Sequence, residues 1–287
     1  MKKIIVACAF IFNCLFFAFA FDWPQDEIAS SDFFSYFGQL RGGVISNSLV
    51  FAKPSNVKAA ESGEVIGIIL ECDDECNLFP STLGNAVIVA HDNNLVCVYG
   101  NLDKETIPQK IFDETKVFVG EELGSTGNAA WQDGRSSLEF QTLDAKTGNA
   151  VNPRILLPRL GKELSLAVGA VTLKNNSTSY KLSNTRTIPR GTYRIYRTRQ
   201  KIAMPYKTRL TVNGVIIDAI SYDQIFHKGF ETLTDGTNAY AKAALYPDDN
   251  LQLIGETTLT PGRNTLGIVL SDILESETSA VYNITCY

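Results

Sequence analysis

The sequence predicts an all-β protein built from two successive β domains. Short apolar runs rich in valine and isoleucine, bounded by turn residues, recur along most of the chain, and helical periodicity is almost absent. The composition is that of a globular protein, with 45% hydrophobic and 20% charged residues among 287. The formal net charge of -5 argues against a nucleic-acid-binding surface, so we expect no nucleic-acid partner.

The first twenty residues are predicted to be a signal peptide. Lys2 and Lys3 precede an apolar run over 4–19, and AFA at 18–20 is a small-x-small cleavage pattern. Cleavage after Ala20 would export the chain, and we expect a periplasmic or cell-envelope protein with no spanning membrane segment in its mature form. An uncleaved membrane anchor is the alternative.

Residues 21–40 form an N-terminal extension that is aromatic-rich and in part helix-prone, with Asp26 or Ser30 as candidate helix caps. Residues 41–160 are predicted to be the first β domain. Asn93-Asn94 separates two of its apolar runs and indicates a hairpin turn. The predicted strands are 43–51, 64–70, 85–90, 95–99, 115–119 and 138–143, and 153–164 is predicted to be a linker.

Residues 165–287 are predicted to form the second β domain. Asn213-Gly214 is a strong hairpin signal, and the segment 260–271 with the terminal strand resembles the last hairpin of bacterial immunoglobulin-like sandwiches. We therefore expect an immunoglobulin-like β-sandwich here. Its predicted strands are 167–173, 191–197, 208–217, 251–259 and 279–286.

Charge is segregated within this second domain. Eight basic and no acidic residues fall between Arg186 and Arg209, whereas 210–287 holds three basic and ten acidic residues. A basic strip could contact anionic glycans or lipid headgroups. The favoured interpretation is a solvated face that pairs with the neighbouring acidic strands.

Four cysteines remain after removal of the predicted signal peptide. Cys72 and Cys76 lie in a polar loop sequence, ECDDECN, and could close a small local disulfide ring. Cys97 lies in an apolar strand pattern and is expected to be a buried thiol, while Cys286 is the fourth. Their spacing, without nearby histidines, is a poor zinc-finger pattern.

Common catalytic motifs are missing from the sequence. It contains only two histidines, His91 and His227, and no G-x-S-x-G nucleophile elbow, so a serine triad is not indicated. Neither a phosphate-binding P-loop nor a dinucleotide fingerprint occurs.

Several stretches of the first domain resemble one enzyme family in their order. They are VKAAESGEVIGI at 57–68, LGNAVIVAH at 83–91, NNLVCVYGNL at 93–102, VFVGEELGSTG at 117–127, SSLEFQTLD at 136–144 and VNPRILLP at 151–158. This glycine and strand pattern resembles the lysostaphin/LytM-type zinc metallopeptidases, whose fold is called a duplicated hybrid motif. The resemblance implies a LytM-type β-sheet domain, and active members of the family cleave peptide cross-links of bacterial cell walls with a bound zinc ion.

The zinc-ligand positions implied by that resemblance hold other residues in this chain. The early His-x3-Asp motif falls within 44–48 and offers only Ser46 and Ser48, the hairpin histidine corresponds to Asn101, and the His-x-His strand is Ser137-Leu138-Glu139. One carboxylate without nitrogen or sulfur partners is a weak zinc site, so we expect a degenerate member with no catalytic residue, no metal and no cofactor. Ser46, Ser48, Asn101, Ser137 and Glu139 are predicted to line the vacated groove.

The sequence thus suggests a pseudoenzyme of the cell envelope. By analogy with zinc-free relatives, we expect it to bind peptidoglycan or to regulate a cell-wall hydrolase. One alternative is an active zinc endopeptidase cleaving peptidoglycan cross-links, which would require zinc. A second alternative is a structural envelope spacer that binds neither partner.

Overall fold

Strands account for most of the computed structural model, which describes residues 21–71, 81–130, 132, 134–176 and 178–287. The all-β prediction is confirmed, because the helices of these ranges are only three to five residues long. Among the described residues, no helix reaches the length and apolarity that a membrane span requires. The predicted signal peptide and the Cys72–Cys76 disulfide lie outside the described residues.

The first half consists of short strands joined by turns. Its helical segments are the 3-10 helices Ser30–Asp32 and Lys104–Thr106 and the α-helices α1 (Gln109–Asp113) and α2 (Pro153–Leu156). Its strands are β1 (Phe33–Ser35), β2 (Leu40–Arg41), β3 (Val44–Ile45), β4 (Ser48–Phe51), β5 (Asn56–Lys58), β6 (Gly63–Ile69), β7 (Asn85–Ala90), β8 (Leu95–Leu102), β9 (Lys116–Val117), β10 (Glu122–Ser125), β11 (Glu139–Asp144) and β12 (Ala150–Val151).

The second half has longer strands and one short helix, α3 (Lys242–Leu245). Its strands are β13 (Val171–Lys174), β14 (Ser179–Lys181), β15 (Thr187–Ile188), β16 (Gly191–Thr198), β17 (Lys207–Val212), β18 (Val215–Lys228), β19 (Glu231–Gly236), β20 (Tyr240–Ala241), β21 (Leu251–Leu259), β22 (Gly262–Ser271) and β23 (Glu277–Cys286).

Both predicted hairpin turns are confirmed. Asn213 and Gly214 join β17 to β18 with φ of 52° and 83°, the left-handed pair that a two-residue hairpin turn requires. Asn94 has a φ of 65° in the turn between β7 and β8, where the backbone N–H of His91 donates to the carbonyl of Leu95 at 2.9 Å. Asparagine and glycine tolerate this conformation better than other residues, which explains why the sequence revealed both turns.

The N-terminal extension differs from its prediction. Residues 21–40, all of them described, hold the 3-10 helix Ser30–Asp32 and strand β1 instead of an α-helix. Neither Asp26 nor Ser30 is the cap of this 3-10 helix. Its N-cap residue is Ala29, whose N–H donates to the carboxylate of Asp32 at 3.0 Å. Phe33 and Tyr36, which follow this helix, are drawn into the core of the first half, and this packing overrides local helix propensity.

Four other segments also differ from their predictions. The predicted strand 43–51 is divided into β3 and β4, because Ser46 turns back to exchange backbone hydrogen bonds with Gly38 and Gln39. The predicted linker 153–164 begins with α2, whose first turn is capped by the side chain of Asn152. Strands at 115–119 and 167–173 are shorter than expected, beginning at Lys116 and Val171.

One large sheet runs through both halves of the described chain. Its main path follows the order β15-β23-β22-β17-β18-β12-β11-β8-β7-β6-β9. The two halves meet where β12 pairs antiparallel with β18, placing Ala150 opposite Ile225 and Val151 opposite Gln224. In the second half a four-stranded sheet, β14-β13-β16-β21, faces this large sheet and forms the predicted sandwich.

Three apolar clusters hold these layers together. The first lies within the first half and includes Leu49, Phe51, Tyr99 and Phe140, and the second fills the sandwich. Burial of one such side chain contributes about 1.5–3 kcal/mol. The third cluster joins the halves: side chains from the first half pack against the second half. Its buried members are Phe37, Ile45, Ala150, Tyr196, Ile220, Tyr222, Ile225, Tyr240, Leu245, Tyr246 and Leu253.

Candidate functional site

Neighbouring strands bring the predicted site residues into one region of the first half. Strand β11 lies between β4 and β8, with Gln141 opposite Ser48 and Glu139 opposite Gly100. The start of β11 therefore places Glu139 opposite Val50 of β4 and near the end of β8, where Asn101 lies. All five residues predicted to line the groove are buried to at least nine-tenths.

Glu139 is the centre of the polar contacts in this region. Its Oε1 accepts a hydrogen bond from Ser48 Oγ at 2.6 Å. Its Oε2 accepts from Arg41 Nη1 and from Gln132 Nε2, both at 3.0 Å. Gln141 Nε2 approaches Oε1 at 3.4 Å. The Glu139 carboxylate thus meets four donors, and the guanidinium of Arg41 balances its charge.

The two predicted serines of the early motif bond locally. Ser46 Oγ accepts from the backbone N–H of Ser48 and donates to the carbonyl of Ser48, both at 3.3 Å. These bonds fix the turn that leads into β4. Ser48 then presents its hydroxyl to Glu139, so both serines stabilise this wall of the site.

Asn101 and Ser137 lie behind the site and make structural contacts. Asn101 Nδ2 donates to the carbonyls of Ser137 at 2.8 Å and Arg135 at 3.1 Å, and its Oδ1 accepts from the N–H of Ala130 at 2.9 Å. Asn101 therefore fixes the loop before β11. The buried Ser137 Oγ has no hydrogen-bond partner among the described residues.

An open groove of about 370 Å³ lies in front of Glu139; we call it the Glu139 groove. One wall is a segment of residues 37–45, called the strap below, which carries β2, the Gly42-Gly43 turn and β3. Asn101 and Ser137 do not line the groove. The lining residues are Arg41, Gly42, Val44, Ile45, Ser46, Asn47, Ser48, Thr82 and Glu139.

Four residues of the site were not predicted from the sequence. Arg41, Asn47 and Thr82 line the groove, and Gln132 donates to Glu139. The Gly42-Gly43 pair, with φ of 57° and 81°, was an available signal for the tight turn next to Arg41. No local pattern could indicate that Arg41 would contact Glu139, because the two residues are 98 positions apart.

The side chains at this site do not fit a zinc ion. Catalytic zinc needs three nitrogen, sulfur or carboxylate ligands and an open fourth position. The positions in question supply hydroxyls, an amide and one carboxylate that is already paired with Arg41. Within the described ranges, no three His, Cys, Asp or Glu side chains are grouped so that they could hold a metal.

Both histidines are engaged away from the groove. His91 is buried at the end of β7, with Nδ1 2.9 Å from the carbonyl of Ser62 and its ring edge-on to Phe21. His227 is exposed near the end of β18, where Nδ1 lies 3.2 Å from Thr232 Oγ1. Neither imidazole is hydrogen-bonded to a residue of the Glu139 groove.

The described cysteines are buried thiols, as expected for Cys97. Burial raises the pKa of both Cys97 and Cys286, which disfavours a reactive thiolate. Two of the eight basic residues of the strip in the second half pair with acidic residues of other strands: Arg194 binds Glu256 at 3.0 Å, and Arg209 binds Glu277.

Comparisons with known proteins identify relatives of the chain. A protein-family model matches residues 165–287. The chain is 31% identical over 120 residues to an uncharacterized protein of Treponema pallidum (strain Nichols); the match covers 39% of this chain and 79% of that protein.

Three solved structures are also similar to parts of the chain. A SpoIIIAH and SpoIIQ complex matches at 21% identity over 46% of this chain and 96% of that chain, with a TM-score of 0.36. A zinc-containing peptidase from Vibrio cholerae matches at 21% identity over 46% of this chain but only 39% of that chain, with a TM-score of 0.36. The catalytic domain of a mutant of the prophage-encoded M23 protein EnpA from Enterococcus faecalis matches at 23% identity. The match covers 44% of this chain and 92% of that chain, with a TM-score of 0.35.

Proposed function

This chain belongs to the same protein family as the Treponema pallidum protein, and we propose that its first half is a peptidase-like domain that binds without cutting. In this proposal the mature protein is exported to the cell envelope. It binds peptidoglycan, or controls a cell-wall hydrolase, through the Glu139 groove.

The contact between Arg41 and Glu139 carries the proposal. The resemblance assigns zinc to this region, and the only carboxylate at an assigned position is Glu139. Its oxygens lie within 3.0 Å of Arg41, Gln132 and Ser48. A guanidinium supplies the positive charge that this carboxylate would otherwise share with a metal. The arrangement supports a ligand-binding groove and offers no group to activate a water molecule.

The two alternatives make different predictions. A working zinc endopeptidase requires ligands other than those assigned by the resemblance, and it would release soluble fragments from purified cell wall. A structural spacer would show no saturable binding to cell wall and no effect on a hydrolase.

Co-sedimentation of the mature chain with purified peptidoglycan sacculi tests the proposal. Val44 lines the groove and is 62% exposed, so Val44→Trp should fill the groove without disturbing a core. Val281, 66% exposed on β23, gives the matched control Val281→Trp. Bulky changes at Ser137 or Glu139 would instead test packing, because both side chains are buried.

We expect saturable binding, no release of soluble fragments, and at least tenfold weaker binding for Val44→Trp alone. A parallel assay follows dye release from labelled sacculi by a cell-wall hydrolase, with and without the chain. If Val44→Trp and Val281→Trp bound sacculi equally well and affected the hydrolase equally, the groove would be rejected as the binding site. If the wild-type chain neither bound sacculi nor changed dye release by the hydrolase, the structural spacer would be favoured.

A further inference from the structure

The acceptors of the Glu139 groove are already in use, whereas several of its donors are not. Both Glu139 oxygens accept hydrogen bonds from neighbouring side chains. Ser46 and Ser48 are likewise engaged with each other and with Glu139. A ligand would therefore find few free acceptors there, so the groove favours a partner that accepts hydrogen bonds.

Arg41 is the strongest unused donor in the groove. Nη1 binds Glu139, but Nε and Nη2 have no hydrogen-bond partner among the described residues, and a quarter of the side chain is exposed. A guanidinium presents five N–H donors in a planar fork that matches a carboxylate in a bidentate pair. Arg41 therefore retains the capacity to bind a second carboxylate.

Two neutral donors line the same groove. The Asn47 Nδ2 amide and the Thr82 hydroxyl have no hydrogen-bond partner among the described residues, and both residues reach the surface. The exposed Val44 adds an apolar contact beside them. The volume of about 370 Å³ falls within the roughly 300–1,000 Å³ of small-ligand sites.

We propose that the Glu139 groove recognises the free carboxylate at the end of a peptide, with Arg41 as its specificity-determining residue. This proposal rests on the proposed binding function and names the group that is bound. Arg41 would bridge the ligand carboxylate and Glu139. The repulsion between the two carboxylates is reduced, because Ser48 and Gln132 also donate to Glu139. A chain end suits a concave groove of this size better than a carboxylate within a folded protein surface.

Titration of the full mature chain by NMR provides the test. The probe is trialanine, N-acetylated, with a free C-terminal carboxylate. The same peptide with a C-terminal amide removes the charge, and acetyl-Ala-Glu-Ala-amide supplies a side-chain carboxylate instead. The amide signals of Ser46, Asn47 and Ser48 and the Nε signal of Arg41 report on the groove.

Saturable shifts with the free acid, and at least tenfold weaker binding of the amide, are expected for the wild-type chain. Arg41→Gln should lose binding at least tenfold, Arg41→Lys should retain part of it, and Arg190→Gln should leave it unchanged, since Arg190 is an exposed arginine of the second half. Binding should weaken as salt rises.

Equal binding of acid and amide, or no binding of either, would overturn the proposal even if Arg41→Gln did not fold. Tighter binding of the glutamate peptide than of the free acid would overturn the chain-end assignment. Sacculus binding that persists without peptide binding would reject carboxylate recognition and leave the proposed function standing. Peptide binding without any action on sacculi or hydrolases would reject the proposed function.

Discussion

Asn101 occupies the position at which the family resemblance expects a histidine, and its amide has a structural role. The side chain makes three hydrogen bonds, and its φ of 63° lies in the left-handed region. Asparagine is one of the few residues that combine both features at low cost. The position therefore supports the loop before β11.

Asn101→Ala should lower the free energy of unfolding by about 2–4 kcal/mol, because it leaves buried backbone groups unpaired and strains the backbone. Asn101→Gly loses the same hydrogen bonds but tolerates the positive φ. Urea denaturation should rank the wild type above Asn101→Gly and Asn101→Gly above Asn101→Ala. Equal stability of the alanine variant and the wild type would contradict this role.

Asp32 should make stability depend on acid pH. The Lys53 ammonium, 2.6 Å away, together with the N–H of Ala29, holds the pKa of this buried carboxyl below its ordinary value. A lowered native pKa adds stability that is fully present above the ordinary carboxyl pKa of about 3.9 and is lost as the pH falls through the native value.

The free energy of unfolding of the wild type should therefore fall as the pH drops below about 4, and Asp32→Asn should flatten that decline. Urea midpoints measured between pH 2.5 and pH 6 provide the comparison. An unchanged pH slope in Asp32→Asn would show that the ion pair with Lys53 does not contribute.

The strap that carries Arg41 is held by the second half. Tyr246 Oη donates to the carbonyl of Gly38 at 2.7 Å, and Arg199 Nη1 donates to the carbonyl of Leu40 at 3.2 Å. A side chain at Gly38 would have its Cβ 2.5 Å from the ring of Tyr222, so the strap lies directly on that ring. The groove wall is thus held in place by residues of the second half, whereas Glu139 belongs to the first half.

Tyr246→Phe removes the hydroxyl that holds the strap and should speed amide hydrogen exchange over residues 38–47. Tyr193→Phe is the matched control, because Tyr193 Oη donates to the carbonyl of Pro189 within the second half. Exchange in the strap should increase several-fold only in Tyr246→Phe. Unchanged amide exchange in the strap of Tyr246→Phe would mean that apolar contacts alone hold the strap in place.

The two halves are expected to unfold together. They share the β12–β18 pairing and the third apolar cluster, in which Ile225 lies opposite Ala150 with 1% of its surface exposed. Both tryptophans of the sequence lie in the first half, so tryptophan fluorescence reports on that half and far-ultraviolet circular dichroism on the whole chain.

Coincident unfolding transitions by the two probes are predicted for the wild type. Ile225→Asp places an unpaired charge in the shared cluster and should separate the transitions. Two distinct transitions in the wild type would show that the halves are thermodynamically independent.

Local features were predictable from the sequence, and contacts between distant residues were not. The turns at Asn94 and Asn213 follow from residues that accept a left-handed conformation. The contact of Arg41 with Glu139 and the position of the strap on Tyr222 depend on how the two halves assemble. Aromatic residues of the extension were visible in the sequence, but their incorporation into the first core required the complete fold.

The metal content of the purified mature chain, measured by mass spectrometry after dialysis against trace zinc, tests the central claim most directly. Because Arg41 already balances Glu139 and the other assigned positions carry hydroxyls or an amide, we predict far less than one zinc ion per chain. One zinc ion per chain would contradict the account and would direct the next experiments to cleavage of cell-wall cross-links.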